Sequence, residues 1–125
     1  MDLNAKQIET KNTVAAFAKL QKIPPAWAVS IAMAESSLGL FQRSPTGAKG
    51  LGGMTSIAMK DLLQVMEYKD DEIVDASCFG AYLHVLLDRF KTVEVATFHY
   101  CDPKDRDFYV KRVMDYMKEF EEDLQ

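Results

Sequence analysis

The chain has 125 residues, 48% of them hydrophobic. A single domain of this size buries about two thirds of its unfolded surface, enough for one real core. A formal net charge of −4 argues against nucleic acid as a partner, because phosphate binding needs a basic face. No segment reaches the ~20 apolar residues of a membrane span. The first twelve residues, with Asp2, Lys6, Glu9 and Lys11, hold no apolar core of a leader, so no signal peptide is expected.

Apolar residues recur at helical spacing almost throughout, without sustained strand-like alternation, which predicts an all-α domain of about six to seven helices. The first helix is expected from about residue 10 to residue 22, with Val14, Phe17, Ala18 and Leu20 facing inward. Pro24 and Pro25 end it and open the next. That second helix carries no charge from Ala26 to Ala34 and closes on Glu35. Residues 37–54 hold Gly39, Pro45, Gly47, Gly50, Gly52 and Gly53, a loop long enough to expect function from it. Thr55 or Ser56 can then cap a helix bearing Ile57, Met59, Leu62, Leu63 and Met66. Residues 69–75 read as a charged connector. Asp75 or Ser77 caps a helix through Phe79, Tyr82, Leu83, Leu86, Leu87 and Phe90, and Thr92 caps another that reaches Tyr100. Cys101, Asp102 and Pro103 make a break. The last helix spans about residues 104–120, presents Phe108, Tyr109, Val113, Tyr116 and Phe120, and then frays into Glu121, Glu122 and Asp123. Cys78 and Cys101 fall in separate elements without metal-type spacing and read as buried free thiols. Nothing in the pattern calls for a cofactor or a metal.

Glu35 is the most informative residue. A helix apolar all round is a buried helix, and burial together with the negative end of the helix dipole disfavours an ionised carboxylate. A glutamic acid kept protonated beside a polar, glycine-rich loop is what a general acid next to an open cleft needs.

Five pieces stand in order along the chain. They are Ala34-Glu35-Ser36-Ser37, Ser44-Pro45-Thr46-Gly47-Ala48-Lys49-Gly50-Leu51, Gly80-Ala81-Tyr82-Leu83, Tyr100, and Tyr109-Val110-Lys111-Arg112-Val113. Together they resemble the catalytic domain of soluble lytic transglycosylases, relatives of goose-type lysozyme, over about residues 14–117. The resemblance implies a lysozyme-like single domain with a cleft, acting at the bacterial cell wall on peptidoglycan glycan strands. There Glu35 would first protonate the glycosidic oxygen between N-acetylmuramic acid and N-acetylglucosamine, then as carboxylate take the muramyl C6 hydroxyl proton to leave a 1,6-anhydro sugar. One acid suffices when the substrate's own acetamido oxygen assists. Asp75, Asp88, Asp102 and Asp105 are therefore read as capping or solvated groups. The same resemblance makes Tyr100 a residue whose hydroxyl orients the acid, and places Ser36, Gly53 and Met54 along the substrate. Tyr109, Tyr116 and Tyr82 read as core tyrosines with a hydroxyl at the rim, and His99 as a surface or packed histidine.

The chain departs from the family pattern twice. Gly53 stands where a substrate-binding glutamine is usual, and Cys101 where an asparagine follows the tyrosine, so sugar contacts are altered while the acid is not. Met54 either lines the cleft or fills the core. Arg43 and Lys49 are read as solvated loop charge. Three functions stay open: a lytic transglycosylase, a lysozyme-type hydrolase on the same substrate, and a wall-binding domain that has lost catalysis. With no leader visible, the sequence is expected to be a trimmed piece of a longer protein, part of a phage particle or secretion machine, or a protein released by another route.

Overall fold

The computed structural model describes residues 2–39, 72–100 and 105–124, with side chains in the middle stretch from residue 79 onward. These residues form five α-helices and no strand. The expected helix after Thr55 or Ser56, the loop beyond Gly39, the break at Cys101, and any relation between Cys78 and Cys101 lie outside the described residues.

Helix α1 (Ala5–Leu20) starts five residues before the expected point because Asn4 and Gln7 form a capping box. The Asn4 side chain accepts from the Gln7 amide at 2.8 Å, and the Gln7 side-chain oxygen accepts from the Asn4 amide at 3.0 Å. Two of the four amides that a helix start leaves without partners are thereby satisfied. Its buried stripe is Gln7, Thr10, Val14, Ala15 and Ala18. Leu20, expected inward, is instead 77% exposed on the last turn. The chain reverses at Lys22, whose φ is 58°, and drives Ile23 into the core.

Helix α2 (Pro25–Ser36) has Pro25 in its first turn, where a missing N–H costs nothing. Every residue from Ala26 to Ala32 is buried, so that stretch of the helix is enclosed on all sides, as its uncharged sequence requires. Its polar side chains are satisfied within: the Ser30 hydroxyl donates to the Ala26 carbonyl at 2.6 Å, and the Trp27 indole N–H donates to the Thr97 hydroxyl at 2.8 Å.

Helix α3 (Glu72–Phe90) begins before the expected caps, so residues 72–75 continue the helix rather than forming a connector. Phe79, Leu83 and Leu86 make its buried face. Across the turn after α1, His84 Nδ1 lies 2.8 Å from the Gln21 carbonyl. Helix α4 (Val93–Tyr100) reaches the tyrosine, as expected, and the Thr92 side chain accepts from the Val95 amide at 3.3 Å. Helix α5 (Arg106–Asp123) runs past the expected end, with Glu121 to Asp123 still helical. Val113, Met117 and Phe120 point inward at spacings of four and three, whereas Phe108 is 63% exposed.

Helix α2 packs most extensively on α5 and also on α1; α1 reaches α3, and α4 is held between α3 and α5. The core is therefore centred on α2. Among the described residues no helix is long and apolar enough to cross a membrane.

Candidate functional site

Glu35 lies in the last turn of α2, where the helix emerges from the core. The helix stops there because the next three residues turn left-handed: φ is 49° at Ser37, 55° at Leu38 and 89° at Gly39. Glycine adopts such a φ freely, but the two non-glycine residues cost about 1–2 kcal/mol each. Burial of Leu38, fully shielded from solvent, offsets about 1.5–3 kcal/mol of this. Hydrogen bonds close the turn. The Ser37 amide donates to Met33 at 3.0 Å, the Leu38 amide to Ala32 at 3.2 Å, and the Gln7 side-chain amide donates to the Ser37 carbonyl at 3.1 Å.

The Tyr109 hydroxyl, brought from α5, donates to Glu35 Oε1 at 2.6 Å. That length is in the range of a hydrogen bond to a charged or strongly accepting oxygen. Burial holds the Glu35 carboxyl above its ordinary titration range, outweighing the Tyr109 hydrogen bond and the attraction of Arg112, both of which favour the anion. With Oε1 accepting from Tyr109, the proton of the neutral acid belongs on Oε2. Glu35 can thus be a proton donor and, once ionised, a base held in one orientation. Around it on α5, Arg112 turns its guanidinium onto Tyr116, with Nη2 3.3 Å from the hydroxyl and the charged carbon 5.6 Å from the ring centre.

Of the other expected site residues, Tyr100 and Ser36 are described. The hydroxyl that contacts Glu35 is that of Tyr109, where the sequence pattern pointed to Tyr100. Tyr100 is half-buried at the end of α4, its ring edge-on to Phe79 at 6.2 Å and 5.7 Å from Tyr82. Ser36 is 1% exposed, and its hydroxyl faces the backbone, donating to Ala32 at 2.9 Å and accepting from the Gly39 amide at 3.0 Å. These two hydrogen bonds tie it into the turn. Gly53, Met54, Arg43 and Lys49 lie outside the described residues. Asp88 is solvated and 4.0 Å from Lys91, and Asp105 is exposed before α5 without capping it. His99 stacks on Phe90 with ring centres 4.0 Å apart. Among the described residues no three His, Cys, Asp or Glu side chains gather as metal ligands.

Tyr109 is the residue that sequence reasoning passed over as core. One signal pointed to it: it falls four and eight residues before Val113 and Met117, hence on the face of α5 that meets α2. Comparison of the chain with protein-family profiles, with curated proteins and with solved structures gave no match.

Proposed function

We propose that this domain is a peptidoglycan lytic transglycosylase, with Glu35 as the single general acid and base. The observation that carries the reading is a carboxyl just beyond the buried stretch of a helix, kept above its ordinary titration range by burial and engaged by Tyr109 at 2.6 Å. The ordered motifs that resemble lytic transglycosylases supply the substrate. In the first step the neutral acid gives its proton to the glycosidic oxygen as the bond from muramyl C1 breaks, and the acetamido oxygen of the same sugar stabilises the positive charge at C1. In the second, the Glu35 carboxylate takes the C6 hydroxyl proton while that oxygen bonds to C1, which closes the 1,6-anhydro ring and restores the acid. Tyr109, as donor to Oε1, keeps the carboxyl aimed through both steps. A lysozyme-like cleft, with Tyr100, Gly53 and Met54 along the glycan strand, and work at the bacterial wall, alone or within a larger phage or secretion assembly, belong to the same reading.

The test is digestion of isolated peptidoglycan by the wild-type protein and by Glu35→Gln, with mass spectrometry of the soluble products. Anhydro-muropeptides from the wild type alone are expected. Hydrated reducing ends would make the protein a lysozyme-type hydrolase, and wall binding without release would make it a binding domain.

A further inference from the structure

The capping box that starts α1 uses only part of Gln7. The box needs the Gln7 backbone amide and its side-chain oxygen, and a glutamate serves it at least as well, since a negative charge in the first turn also meets the positive end of the helix dipole. What glutamine adds is a donor, and that donor is aimed 30 residues along the chain, at the Ser37 carbonyl 3.1 Å away. Gln7 is 8% exposed, so the bond forms largely out of water, where a lost partner is most costly. The carbonyl it meets belongs to the first of three left-handed residues, two of them strained, and lies two positions beyond Glu35. Nothing in the intrinsic preference of serine or leucine favours that conformation.

We propose that Gln7 is a positioning residue for Glu35: its side-chain amide locks the left-handed turn at residues 37–39 and thereby fixes the last turn of α2 from which the acid projects. The functional meaning rests on the reading of Glu35 given above, but the test does not need turnover. Gln7→Glu keeps the acceptor that the box requires and replaces the donor with an oxygen facing the Ser37 carbonyl. Gln7→Asn keeps a neutral amide one methylene too short to reach. Asn4→Ala removes the other half of the box and leaves the Ser37 contact alone.

Glu35 titration is followed through its carboxyl carbon by NMR, and the Leu38 amide through hydrogen exchange. In both Gln7 variants the Leu38 amide is expected to exchange about tenfold faster or more. In both, Glu35 is expected to titrate lower, closer to an ordinary carboxyl, because the loosened turn admits water. Asn4→Ala is expected to lower the melting temperature without moving the Glu35 titration. The proposal fails if Glu35 titrates as in the wild type in both Gln7 variants, or if Asn4→Ala moves it as far. Absence of lytic activity in the wild type would overturn the transglycosylase reading and leave these two readouts intact.

Discussion

A carboxyl held above its ordinary range weakens the fold once it ionises, and for Glu35 the sign can be followed through. In the unfolded chain it titrates near the ordinary value of 4.5, and in the fold at a higher pH. Below both, each state keeps the proton and pH has no effect. Between them the folded chain holds more protons, so stability falls as pH rises through that window and levels off above the folded value. Glu35→Gln has no such window. It is expected to be more stable than the wild type at neutral pH, with the gap closing on acidification through that window and gone below 4.5; a denaturation series in which the variant is the less stable at neutral pH would refute the burial argument. Tyr109→Phe acts in the opposite sense to water entry. The lost hydrogen bond favoured the anion, so Glu35 should titrate higher still, carrying the alkaline limb of lytic activity with it. The plateau rate should fall by about tenfold to a hundredfold as the carboxyl loses its orientation. A limb that stays in place would mean that another group supplies the proton.

The helices carry the site, and α2 is fastened to them at a few points. Its deepest polar link joins the Trp27 indole to Thr97 of α4, whose hydroxyl also donates to Val93 at 2.5 Å. Thr97→Val keeps the shape and leaves a buried indole N–H without its acceptor. Its cost, measured by denaturant unfolding, should be about 1–3 kcal/mol, and a cost near zero would mean that the indole finds another acceptor. The limits of α2 were legible because two prolines and a charge-free run leave one possibility. The start of α1 was not, because its inward residues there are Gln7 and Thr10, polar side chains that an apolar-periodicity reading skips. Residues 72–75 and 121–123 went unread for the related reason that helix ends beside a cluster of charges, Asp70, Asp71, Glu72 and Asp75 in the first case, look like solvated connectors. At the site, Glu35 could be singled out from its uncharged surroundings, a local property. Which tyrosine meets it depends on how α5 crosses α2, a property of packing that spacing along the chain does not contain; Tyr100 and Tyr109 present the same residue type at two helix positions.

For the molecule as a whole, a net charge of −4 meets a substrate that, on the proposed reading, carries carboxylates of its own. Encounter is then opposed by long-range repulsion, which salt screens with a length of about 8 Å at physiological ionic strength. Raising the salt from low to physiological levels should speed glycan release severalfold. Slower release would mean that a local basic surface governs encounter instead. The enclosure of α2 bears on time as well as on energy. Helix α2 is walled in by α1 and α5 and tied to α4, so it cannot shift while its neighbours stay in place. The hydrogen-bonded amides of its buried stretch should exchange with solvent only when the entire domain opens, whereas the last turn that carries Glu35 depends on the hold of Gln7 at Ser37. On the proposed reading, a bound strand would meet an acid whose supporting helix stays in place.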